Sequence, residues 1–75
     1  MDLQEFVANF ADQFDETEPE EILAETRFHE IEEWSSLTAM GVIAMVRTMY
    51  GKAITGRDIR TCVTVEDLFD LVQSK

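Results

Sequence analysis

Apolar residues recur at helical spacing from the start of the chain. Leu3, Phe6, Val7, Phe10, Ala11 and Phe14 fall on one stripe, with acidic and amide residues between them. The spacing predicts an amphipathic helix over residues 3–14, its three phenylalanines turned to a core. Asp2 precedes it as a cap, where its side chain accepts from a free first-turn N–H and its charge suits the helix dipole.

The pattern then lapses. Residues 15–33 are rich in carboxylates and too long for a bare loop in so short a chain. Pro19 suits the first turn of a short helix, with Thr17 as its cap and Ile22 and Leu23 on its buried side. The sequence leaves open whether residues 15–33 contain a helix. Phe28 and Ile31 are apolar within a charged run and are expected to pin it to the core.

A second helix starts at Ser35 or Ser36 and ends at Gly51, a left-handed C-cap. Leu37, Met40, Val42, Ile43, Ala44, Met45, Val46 and Met49 make it apolar nearly all round, which predicts the central, most buried element. Gly41 costs about 1 kcal/mol relative to Ala in a helix interior, so a close neighbour is expected against it. Residues 55–60 read as a short third helix or a helical turn. Thr64-Val65-Glu66-Asp67 is a capping box with Asp in place of Glu, opening a last helix over residues 65–73. No strand pattern occurs. The expected fold is all-α: one domain over residues 1–75, a four-helix bundle with a long first loop and a short third helix.

Size and charge narrow the functions. A chain of 75 residues forms at most one domain, burying roughly 60% of its unfolded surface, with little room for an enclosed active site. The net charge is −10. Residues 1–33 hold twelve acids and one base; residues 34–75 hold four acids and five bases. Such a chain is repelled by nucleic-acid phosphates and anionic lipid, and favours partners with basic surfaces. Most of these acids solvate an exposed helix face and loop. The longest apolar run, Ala39–Val46, is far short of the ~20 residues that span a bilayer. The acidic start, Met1-Asp2-Leu3-Gln4-Glu5, is unlike a signal peptide. The lone Cys62 excludes an internal disulfide and suits a reducing compartment. A cytoplasmic monomer without membrane insertion is expected.

The inventory for catalysis is poor. His29 has no second imidazole with which to hold a metal, and reads as a solvated loop residue. Cys62 reads as a small buried apolar residue, with no evident base to activate it. The spacing of Asp58, Glu66 and Asp67 does not match a calcium loop. Neither a catalytic residue nor a metal site is expected.

One constellation stands apart. Trp34-Ser35-Ser36-Leu37 lies where the acidic connection meets the central helix. Phe28 and Ile31 precede it, and Gly51, the short third helix and Thr64-Val65-Glu66-Asp67-Leu68 follow. Over nearly the full chain this layout resembles the acyl carrier protein family. In that family the motif is usually Asp-Ser-Leu, and the serine carries 4'-phosphopantetheine. The resemblance places that covalent cofactor on Ser36, with Ser35 at the usual aspartate position. Elementary chemistry agrees: a helix N-terminus offers free N–H groups and partial positive charge to a phosphodiester. A plain N-cap is the commoner role of a serine before an apolar run, and the two roles are compatible.

The resemblance implies further expectations. Partners would be a phosphopantetheinyl transferase and acyl-activating, condensing or acyl-transferring enzymes of a dedicated fatty-acid or polyketide-type pathway. The family's second helix is usually acidic, whereas none of residues 37–50 is an acid. Docking then falls to Glu30, Glu32 and Glu33, just before the serine, with Leu37 and Met40. An acyl groove between the second and third helices would draw on Met40, Ala44, Met45, Ile54, Ile59 and Val63, each of which is equally an ordinary core residue. Two alternatives stay open: a peptidyl carrier, and a carrier-like docking module that is never modified.

Overall fold

The computed structural model describes residues 2–75. Four α-helices follow one another: α1 (Leu3–Ala11), α2 (Ser36–Tyr50), α3 (Gly56–Thr61) and α4 (Val65–Gln73). Two three-residue 3-10 turns, Pro19–Glu21 and Phe28–Glu30, break the long connection between α1 and α2. The described residues contain no strand, only an isolated bridge between Arg27 and Thr64.

The Asp2 side chain caps α1, accepting from the Glu5 N–H at 3.1 Å. The helix ends at Ala11, three residues before its predicted end. From there the chain tightens: Gln13 N–H bonds the Phe10 carbonyl and Phe14 N–H the Ala11 carbonyl, each at 3.1 Å. Such 3-10 winding satisfies helix-end carbonyls, and Phe14 still reaches the core.

In the connection, Pro19 opens the first 3-10 turn, but Glu18, not Thr17, is its capping residue. Ile22 is buried whereas Leu23 is 52% exposed, against the expectation that both face inward. The reason is local. Ile22 already has extended backbone, so consecutive side chains point to opposite sides. Phe28 is fully buried, and Ile31 packs at the core's edge. The connection is tied to α4 by two backbone bonds. Val65 N–H donates to the Thr26 carbonyl at 3.2 Å, and Glu66 N–H to the Ala24 carbonyl at 2.9 Å.

Ser35 is the cap of α2, its Oγ accepting from the Thr38 N–H at 3.4 Å, and Gly51 ends the helix with φ 67°. Contrary to its apolar sequence, α2 is not buried all round. Thr38, Val42, Met45 and Val46 face the core, while Leu37, Met40 and Met49 are 78%, 65% and 56% exposed. The other helices are 9, 6 and 9 residues long, too little to wrap a 15-residue helix. Gly41 has the close neighbour its cost implied. A Cβ there would lie 3.1 Å from Gln13 Oε1, in the turn just after α1.

Capping boxes open both remaining helices. Thr55 and Asp58 bond each other's backbone N–H at the start of α3, and Thr64 and Asp67 do so at α4. The core gathers Phe6, Phe10, Phe28, Val42, Val46, Ile59, Leu68 and Val72 from every helix and the connection. Asn9 donates to the Tyr50 hydroxyl at 2.8 Å, joining α1 to the end of α2.

Candidate functional site

A cleft of about 440 Å³ lies between α2 and α3, and Ser36 lines it. Its α2 wall is Ser36, Ala39, Met40 and Ile43, residues at helical spacing on one face. Its α3 wall is Gly56, Ile59 and Arg60. His29, Trp34 and Ser35 close the end nearest the connection.

Ser36 occupies the first position of α2, is exposed, and makes no side-chain hydrogen bond among the described residues. Capping is done next door. Besides accepting from the Thr38 N–H, Ser35 Oγ lies 3.3 Å from Thr38 Oγ1, whose hydroxyl donates to the Glu33 carbonyl at 3.2 Å. The Ser36 hydroxyl is therefore left free. The start of α2 also differs in charge from the others. Its first turn holds no acid, whereas α1 has Glu5, α3 has Asp58, and α4 has Glu66 and Asp67. Its positive dipole end is the one left without a neighbouring carboxylate in the first turn.

His29 is not simply solvated. Its Nε2 lies 3.0 Å from the Ile59 carbonyl and 3.1 Å from the Cys62 carbonyl, so this nitrogen carries a proton and donates to both. The ring thereby satisfies carbonyls at the end of α3 and fixes that helix against the connection. Trp34 stacks on Phe10 with ring centroids 6.0 Å apart and meets Phe28 edge-on at 4.8 Å. The cleft's end wall is thus backed by the aromatic core.

The expected site residues fall in different places. Of the proposed groove residues, Met40 and Ile59 line the cleft. Met45 and Ile54 are buried in the core, while Ala44 and Val63 are exposed outside the cleft. Glu30 and Glu32 are exposed, Glu30 pairing with Arg27 at 3.6 Å. Glu33 is committed internally. Its oxygens accept from the N–H groups of Asp15, Glu16 and Thr17 at 2.6, 3.0 and 2.8 Å, and from the Thr17 hydroxyl at 2.8 Å. These bonds, the Asp15 N–H foremost, hold its carboxyl below the ordinary glutamate range.

Cys62 is a buried free thiol. Burial, and then the charges of Asp67 and Asp58, push its pKa up and keep it protonated. Among the described residues no group of His, Cys, Asp and Glu is arranged to hold a metal ion, and no helix is long and apolar enough to cross a membrane.

Sequence reasoning missed His29, Trp34, Ser35, Ala39, Ile43, Gly56 and Arg60 as cleft residues. A signal existed for some of them: residues 36, 40 and 43 share a helix face, as do 56, 59 and 60 across from it. Comparison with family models, with curated proteins and with solved structures returned no match.

Proposed function

We propose that this chain is an acyl carrier, with a 4'-phosphopantetheine arm esterified to Ser36 and no catalytic activity of its own. The observation that carries the reading is the free, exposed hydroxyl of Ser36 at the start of α2 and on the wall of the α2/α3 cleft. The four-helix order, with its long connection before Ser36, supports an acyl-carrier-like fold.

The residues present fit such an arm. The Ser36 oxygen is accessible to a transferase and needs no activating base in this chain, since it is the acceptor in another enzyme's reaction. First-turn N–H groups of α2 and the absence of an acid there suit a phosphodiester. Trp34, Ala39, Met40, Ile43 and Ile59 offer an apolar trough beside the attachment point. The arm, when present, supplies a thiol on which acyl groups are held as thioesters. Exposed Leu37 and Met40, together with the exposed Glu30 and Glu32 of the preceding connection, form the surface offered to partner enzymes. Glu33 serves instead to order the connection that presents this surface. Partners on this reading are a phosphopantetheinyl transferase and enzymes that load, condense or transfer acyl groups, met by a cytoplasmic monomer. A peptidyl carrier would use the same attachment chemistry.

The test is co-expression with a broad-specificity phosphopantetheinyl transferase, followed by intact mass measurement. A gain of one arm in the wild-type chain, lost in Ser36→Ala, is expected. No gain with any transferase would favour the second reading, an unmodified docking module, which Ser35 at the usual aspartate position and the apolar exposure of Leu37 and Met40 favour.

A further inference from the structure

The cleft beside Ser36 differs in charge from the rest of the molecule. Sixteen of the 75 residues are acidic, yet no acid lines the cleft, and Arg60 is the arginine or lysine among its lining residues. Among the described residues Arg60 also has no carboxylate within ion-pair distance. The two ion pairs among the described residues are Arg27–Glu30 and Lys75–Asp58. Its side chain folds back along α3: Nη1 lies 3.5 Å from where a Cβ on Gly56 would stand, and Gly56 lines the same wall. An exposed guanidinium therefore lies beside an apolar trough, with no carboxylate among the trough's lining, across from a free hydroxyl on the α2 wall. This arrangement is complementary to an anion introduced at that hydroxyl.

We infer that Arg60 is a positioning residue for a phosphate ester on Ser36, pairing with the phosphodiester oxygens and so directing the tether along the α2/α3 cleft. The inference rests on the carrier reading. A guanidinium suits the task because its forked N–H donors meet two phosphate oxygens at once, which a lysine ammonium does less well. Pairing across the cleft brings the two walls under one interaction, with no carboxylate among the cleft's lining to compete for the cation.

The experiment uses the full chain loaded to completion by a broad-specificity transferase, as wild type, Arg60→Gln and Arg60→Lys. Phosphorus NMR reads the ester directly, and the Arg60 Nε–H resonance reads the guanidinium. Arg60→Gln is expected to shift the phosphorus signal and to lower the cleft-docked population, measured by NOEs from the tether to Ile43 and Ile59, by about threefold, the size of one solvent-screened charge pair. Arg60→Lys should restore part of both. Inorganic phosphate added to the unloaded wild type should leave the Arg60 resonance in place; an equal perturbation would make the cleft a general anion site and overturn the assignment to the ester. A loaded chain whose phosphorus signal and NOEs ignore Arg60→Gln overturns the inference and leaves the carrier reading intact. A wild-type chain that accepts no arm overturns both.

Discussion

The Glu33 carboxylate binds both the backbone N–H and the side-chain hydroxyl of Thr17, each at 2.8 Å. With the N–H groups of Asp15 and Glu16 it closes the turn after α1 onto the residue that precedes Trp34. One side chain thus ties the beginning of the long connection to its end.

Acid should undo this tie. Hydrogen bonds, chiefly from the Asp15 N–H, hold the Glu33 pKa below its ordinary 4.5. The Thr55 N–H does the same for Asp58, and the Thr64 and then Val63 N–H groups for Asp67, each below 3.8. A carboxyl with a depressed folded-state pKa contributes stability that is fully present above its unfolded value and disappears as pH falls through the folded one. The chain should therefore lose thermal stability on acidification below pH 4.5. Glu33→Gln should shrink the difference in melting temperature between about pH 7 and about pH 3. An equal difference in wild type and variant would show that Glu33 carries none of the acid dependence.

The aromatic cluster should dominate stability. Phe10 is fully buried and meets Phe14, Phe28 and Trp34. Phe10→Ala should cost about 3–5 kcal/mol. A domain this small holds only about 4–11 kcal/mol in total, so a large unfolded fraction is expected in mild urea. Urea unfolding followed by Trp34 fluorescence measures it.

Two methionines on one helix should behave oppositely. Met45 is buried, and Met45→Ala should destabilise by about 2–5 kcal/mol. Met40 is largely exposed, as is Leu37, and Met40→Ala or Leu37→Ala should change stability by no more than about 0.5 kcal/mol. On the carrier reading the latter pair should slow transferase loading while leaving the melting temperature in place. Loading kinetics and melting curves on the same samples separate the two effects.

Gly51 stands at φ 67°, which a side chain disfavours. Gly51→Ala should cost about 1–2 kcal/mol although nothing lies within contact distance of the added methyl group. Denaturant titration gives the figure directly, and an unchanged midpoint would contradict the backbone argument.

What was legible in the chain was whatever short-range patterns encode. The stripe of α1, the Thr64–Asp67 box, the glycine ending α2 and the tight space at Gly41 all follow from residues within a few positions, or from a single anomalous residue. Interactions between distant positions leave no such trace. Glu33 bonds residues 16 to 18 positions away, and His29 reaches carbonyls 30 and 33 positions on. Nor does periodicity tell a buried helix from one with an uncovered side when apolar residues lie on every face. That is why the second helix read as the most buried element although Leu37, Met40 and Met49 stand exposed on it. The Ser36 assignment came from the arrangement of the whole chain, whereas Ser35's capping role depends on one rotamer.

The two backbone bonds that Val65 and Glu66 donate to the carbonyls of Thr26 and Ala24 have a consequence for assembly of the fold. They join segments about 40 positions apart, so this part of the connection's backbone pairing forms only once the far end has docked. During synthesis the carbonyls of Ala24 and Thr26 would wait for these partners until the last helix arrives. A chain cut just before residue 64 would keep every residue of that connection and lose the two donors that hold Ala24 and Thr26 in place.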